Sequence, residues 1–294
     1  MARAKANGID IVYETHGKRA DPAILLVHGL GAQLTLWPEA LCQDLAARGY
    51  FVVRYDNRDI GLSSKFEHKG IPDLAALTKK LMSGQKIEGP YLLTDMAADG
   101  IGLLDALGIE RAHIVGVSMG GMIVQTMAAL HGGRVRSMTS VMSTSGRRGL
   151  PQGKPEALQM LVTKPASEER EALIAYGMKL RHTIGSPAYP APEGELRALV
   201  AANVDRSWYP QGSVRHYAAV MASGDRVGLL PGIKVPTLVL HGAEDPLLPA
   251  ACGEDVAKLV PGARLKIVPG WGHDLPTPLM PMMADEIASL ARGH

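Results

Sequence analysis

Gly116-Val117-Ser118-Met119-Gly120 lies between an apolar run (Ala112, Ile114, Val115) and a helix-like stretch that begins near Met119. In that setting G-x-S-x-G reads as a sharp strand-to-helix turn that holds a serine hydroxyl out as a nucleophile. The two glycines follow from sterics, because a residue in a strained turn needs neighbours without bulky side chains. Such short matches also occur in ordinary glycine-rich turns. The reading therefore depends on partners for Ser118 elsewhere in the chain.

Outward from this turn, short apolar runs alternate with stretches of helical period. Strands are predicted at 23–28, 51–56, 112–118, 138–142, 237–241 and 265–268. Helices are predicted at 36–48, along Leu93, Ala97, Ile101 and Leu104, through 119–129, and along Leu279, Met283, Ile287 and Leu290. Apolar strands separated by helices predict an α/β fold with a mostly parallel, doubly wound sheet. The alternation breaks in residues 145–232, which are rich in Pro, Gly, Met and charge and carry helical pieces at 168–181, 193–203 and 214–221. A connection that long needs structure of its own. It is predicted to be a helical cap over the carboxyl edge of a core domain made of residues 1–144 and 233–294.

Composition narrows the function classes. The 294 residues are 46% hydrophobic and 20% charged, a globular balance. A formal net charge of +2 gives no electrostatic reason to expect nucleic acid or an anionic membrane as partner. No apolar run approaches the ~18 residues of a membrane span, and residues 1–10 lack the apolar core of a signal peptide. A cytoplasmic location is the expectation. Cys42 and Cys252 have no C-x-x-C spacing and are read as two free thiols. Metal-binding H-E-x-x-H, P-loop and dinucleotide motifs are missing from the sequence, so no metal or cofactor is expected.

A serine hydroxyl needs a base to take its proton, and that base needs an acid to orient it. In strand–helix folds, functional groups collect on loops past the carboxyl ends of strands. Of ten histidines, His16, His68, His131, His182, His216 and His294 fall in turns, helices or the terminus and are read as exposed polar residues. His113 lies in a strand, away from the useful end. His28 and His241 end strands and are read as shaping the loops that follow. His273, in Gly270-Trp271-Gly272-His273 after the last strand, is the expected base. Asp245, in Gly242-Ala243-Glu244-Asp245-Pro246, is the expected acid, ahead of Glu244, Asp274 and Asp56. The order Ser118, Asp245, His273 is the order of this elbow type. Backbone amides of Met119 and Leu30, the latter in His28-Gly29-Leu30-Gly31, are the expected donors to the oxyanion.

With these residues in place the chain resembles the α/β-hydrolase superfamily over almost its whole length. The run Asp56-Asn57-Arg58-Asp59-Ile60-Gly61-Leu62-Ser63 is similar to the family's D-x-R-G-x-G-x-S, with Asp59 where many members carry glycine. That variant resembles the subgroup around aclacinomycin methylesterase, polyketide methyl-ester hydrolases. The resemblance implies two leading antiparallel strands, placed at 8–15 and just before Val27. It also implies a serine carboxylesterase acting on a small-molecule ester through an acyl-serine. A C–C bond hydrolase and a cofactor-free haloperoxidase or perhydrolase with the same triad are the alternatives, and a non-turnover ligand receptor is the alternative from another class. In the cap, Met160, Met178, Trp208, Tyr209, Tyr217 and Met221 are the candidates to meet substrate. Acyl length, alcohol identity and oligomeric state are not encoded in any of these signals.

Overall fold

A computed structural model describes residues 1–292. His294 lies outside the described residues. Eight strands form one sheet: β1 (Ala2–Ala6), β2 (Ile9–His16), β3 (Ala23–Val27), β4 (Phe51–Tyr55), β5 (Ala112–Val117), β6 (Val135–Val141), β7 (Thr237–Gly242) and β8 (Arg264–Val268). Their spatial order is β1-β2-β4-β3-β5-β6-β7-β8. The first two strands pair antiparallel, β2 pairs antiparallel with β4, and all later pairs are parallel. β3, β4, β5 and β7 are buried along their whole length, as expected of strands covered on both faces.

The ten helices of the described residues are α1 (Glu39–Ala47), α2 (Leu74–Met82), α3 (Leu93–Ala106), α4 (Met119–Leu130), α5 (Pro155–Met160), α6 (Arg170–Ile184), α7 (Glu193–Arg206), α8 (Pro210–Ser223), α9 (Ala250–Leu259) and α10 (Met280–Ala291). Helices α3, α4 and α9 cover one face of the sheet and build a core around Val53, Ile114 and Val239. Helices α1 and α10 cover the other, around Leu26, Val115, Trp37 and Trp271. None of the described helices is long and apolar enough to cross a membrane. Cys42 and Cys252 are both buried and unpaired.

Three departures from the sequence reading have physical causes. The leading antiparallel strands are β1 and β2; the segment before Val27 is β3, a parallel strand. β1 is a weak strand signal, Ala2-Arg3-Ala4-Lys5-Ala6, and forms because Asn7 and Gly8, with φ of 47° and 80°, close a two-residue hairpin. The helix expected at 36–48 is split. A 3₁₀ turn covers Leu34–Leu36 and α1 starts at Glu39, because Pro38 disfavours helical backbone at Trp37. His216 is fully buried, accepting the Gly31 amide on Nδ1 at 3.3 Å and lying 2.8 Å by Nε2 from the Arg58 carbonyl.

The topology sets the site. β4 lies on one side of β3 and β5 on the other, so the chain reverses its winding at β3/β5 and opens a crevice beyond their carboxyl ends. Val27 pairs with Gly116, which brings the residues after both strands side by side. Helices α5–α8 all fall between β6 and β7, and each contributes residues to the lining of the cavity that contains Ser118.

Candidate active site

Ser118 sits between the last residue of β5 and the first of α4, with φ 57° and ψ −119°. A non-glycine residue there is strained and persists only where its surroundings leave no alternative. They do so here. A Cβ on Gly120 would stand 2.0 Å from the Val27 carbonyl oxygen, and one on Gly116 would stand 2.1 Å from that of Gly120. The elbow is therefore clamped between β3 and α4. Its backbone is tied as well: the Ser118 amide donates to the Val141 carbonyl at 3.0 Å, and the Ser143 hydroxyl donates to the Ser118 carbonyl at 2.8 Å.

The two expected partners arrive from β7 and β8. His273 Nε2 lies 3.0 Å from Ser118 Oγ, and His273 Nδ1 lies 2.7 Å from Asp245 Oδ2. The second carboxylate oxygen, Oδ1, accepts the Leu247 and Leu248 amides, each at 2.8 Å. His241 comes within 3.5 Å of Oδ2. Burial alone would raise the Asp245 carboxyl, but the His273 and His241 imidazoles more than reverse it and hold it well below the usual carboxylate range. An ionised carboxylate can only accept, so His273 Nδ1 is the donor to Asp245, and Nε2 is the ring nitrogen turned toward Ser118. The His273 amide donates to the Ile184 carbonyl at 2.7 Å, which fastens this loop to the end of α6.

The competing groups are engaged elsewhere. Glu244 accepts the Gly270 amide, and Asp274 accepts the Ser186 hydroxyl. Asp56 takes the Leu34 and Leu62 amides at 2.8 Å each and the Arg206 guanidinium at 2.8 Å. His28 Nδ1 accepts the Gly29 amide at 2.7 Å, and burial, aided by the Arg181 charge, lowers its pKa to about 3.

Leu30 lines the cavity in front of Ser118. Gly29 is the contact point between the two loops: a Cβ there would meet Ser118 Cβ at 3.1 Å. The Met119 side chain is buried, and its amide belongs to the first residue of α4, one of the orphan N–H groups of a helix start. The cavity holds about 1810 Å³, above the ~300–1,000 Å³ of most small-molecule sites.

Of the six residues between β6 and β7 named from sequence, Met160, Trp208, Tyr209 and Tyr217 line this cavity; Met178 and Met221 are not among its lining. Met178 packs instead with Ile174 and Val200 between α6 and α7. Trp208 meets Tyr176 edge-on at 6.2 Å between centroids. Tyr209 is held by Arg215, which donates to its hydroxyl at 2.7 Å.

Two arginines escaped the sequence reading. Arg215 of α8 grips Asp59, the residue at which the chain departs from the D-x-R-G-x-G-x-S run it resembles. Asp59 has φ 69°, which accounts for glycine there, and its carboxylate also takes the Tyr91 hydroxyl and the Phe66 amide. Arg181 of α6 lines the cavity. Its signal was present: an arginine inside the stripe Leu173, Tyr176, Gly177, Leu180, Ile184 breaks an otherwise uncharged helix face.

The family signature of the alpha/beta hydrolase fold matches residues 22–276. A rhodomycin D methylesterase of Streptomyces sp. strain C5 is 27% identical over 94% of this chain and 93% of its own. A non-heme haloperoxidase of Rhodococcus erythropolis is 28% identical over 92% of each chain. The enol-lactonase structure from Burkholderia xenovorans LB400 superposes with a TM-score of 0.75 at 24% identity, covering 99% of this chain and 100% of that one. With its sheet, its elbow at Ser118 and a family match across most of its length, the chain belongs to the α/β-hydrolase family.

Proposed function

We propose that the protein is a carboxylic-ester hydrolase working through an acyl-serine, with Ser118 as nucleophile, His273 as base and Asp245 as the acid that orients it. The observation that carries this reading is the unbroken chain from Ser118 Oγ through His273 to Asp245, at 3.0 and 2.7 Å. In the first half-reaction Ser118 Oγ attacks the ester carbonyl while its proton passes to His273 Nε2. The Leu30 and Met119 amides receive the oxyanion, an interaction whose loss typically costs ~10²–10³ in turnover. His273 then protonates the departing alkoxide, and the alcohol leaves. In the second half-reaction water attacks the acyl carbonyl while its proton passes to His273, and His273 returns that proton to Ser118 Oγ as the acid leaves. Similarity to a methylesterase along nearly the whole chain supports ester rather than amide substrates.

The helices between β6 and β7 serve as a cap over this site, and the cavity beneath them is large enough for a bulky or multi-ring ester. Met160, Trp208 and Tyr217 supply apolar contact, while Met178 belongs to the cap's own packing.

The test is steady-state hydrolysis of p-nitrophenyl and methyl esters by wild type and two variants. Ser118→Ala should lower turnover by about 10⁶ and Asp245→Asn by about 10⁴. Equal turnover by Ser118→Ala and wild type would overturn the assignment.

A further inference from the structure

The cavity wall contributed by α6 is a single helical stripe: Leu173, Tyr176, Gly177, Leu180 and Ile184, with Arg181 set among them. Among the described residues none forms a hydrogen bond or ion pair with the Arg181 guanidinium; its interactions are through-space, with Asp274 and His28. Asp274 is occupied by the Ser186 hydroxyl, and burial pushes its carboxyl up, which weakens it as a counter-charge. The other long cation on the cavity wall, Lys164, is exposed, as are Glu168, Glu193 and Glu195 at the same rim. Arg181 is only partly accessible, and it sits close enough to His28 to disfavour a proton there. His28 precedes Gly29, which packs directly on Ser118. The cation thus shares the crevice with the reacting serine.

A half-buried guanidinium set in an apolar wall without a protein partner is unfavourable, because it has given up part of its hydration and gained no hydrogen bond from the protein in return. The deficit disappears when a ligand supplies the partner. Arginine's planar fork matches a carboxylate through two parallel hydrogen bonds. A singly charged anion suits this wall better than a dianion, since Asp274 lies nearby.

We propose that Arg181 receives an ionised carboxyl group of the substrate, remote from the scissile bond, so that the preferred substrates are esters carrying a second, free carboxylate. This rests on the ester-hydrolase reading and adds the substrate's charge to it. Arg181 acts on binding and touches no reacting atom.

The experiment compares matched ester pairs with wild type, Arg181→Gln and Arg181→Lys. One series places the acid on the acyl chain: mono-p-nitrophenyl adipate, suberate and sebacate, each against the plain acyl ester of the same carbon number. The other places it on the leaving group: the butyrate ester of 4-hydroxybenzoate against that of its methyl ester. In one of the two series the ratio of kcat/KM, acidic over neutral, should fall at least tenfold in Arg181→Gln, carried by KM, and recover in part in Arg181→Lys. Equal loss on acidic and neutral esters in both series would overturn the proposal and leave Arg181 a packing residue. A second readout does not depend on turnover. In Ser118→Ala, monomethyl suberate should raise Tm more than dimethyl suberate, and Ser118→Ala/Arg181→Gln should abolish the difference. Monomethyl suberate shifting both proteins equally would reject the anion site. Turnover of no ester, with this shift retained, would reject the hydrolase reading alone.

Discussion

Arg215 holds Asp59 in a two-pronged ion pair, Nε to Oδ2 and Nη2 to Oδ1, both at 2.8 Å, with both side chains almost completely shielded from water. The pair joins the loop after β4 to α8, so it fixes α8 to the end of the sheet. Burial by itself would raise the Asp59 carboxyl; the Arg215, Phe66 and Tyr91 hydrogen bonds bring it below its ordinary value. Removing Arg215 alone leaves a buried charge without compensation. Arg215→Met should cost about 3–5 kcal/mol in urea unfolding. The double variant Asp59→Gly/Arg215→Met should recover much of that, because glycine also suits φ 69°. Equal losses in the single and double variants would contradict the assignment.

The elbow tolerates no side chain on its second glycine. Gly120→Ala would place Cβ 2.0 Å from the Val27 carbonyl, a backbone atom that cannot swing aside, and should cost about 3 kcal/mol or fail to fold. Gly132→Ala meets nothing within 4 Å and should stay within about 0.5 kcal/mol of wild type. Thermal unfolding of the two proteins side by side checks the difference.

Acid sensitivity should come from buried neutral histidines. Burial, aided by the Arg181 charge, lowers His28 to about 3, and burial, with the nearby Arg58 and Arg215 charges, lowers His216 to about 4. The unfolded chain protonates both near pH 6.5 while the folded one does not. Stability is therefore full above about pH 6.5 and falls as pH drops toward those lower values, by about 1.4 kcal/mol per pH unit for each histidine. Tm should be level from pH 8 to 7 and drop steeply from 6 to 4, with a shallower slope in His216→Gln. A flat Tm from pH 7 to 5 would refute this.

The parts of the site that were legible in sequence are those fixed by strand ends. Ser118 and Asp245 follow the buried strands β5 and β7, and His273 follows the partly exposed edge strand β8, each on a glycine-bearing loop; a parallel sheet brings such ends together whatever the details of packing. The helices between β6 and β7 were not legible at the same resolution. A methionine on an amphipathic helix can face the helix beside it or the cavity, and Met178 and Met160 take opposite options. The Asp59–Arg215 pair spans 156 residues and leaves no local pattern. β1 was hidden because alternating alanine and cation carries little apolar signal, although Asn7-Gly8 marked its turn.

Covalent trapping at Ser118 tests the central claim most directly. Treated with diethyl p-nitrophenyl phosphate, the protein should release one equivalent of p-nitrophenol. It should gain one diethylphosphoryl group, located by peptide mass spectrometry on Ser118, and lose ester hydrolysis in step. Ester hydrolysis that persists after full labelling of Ser118, or a label carried wholly by another residue, would contradict the account.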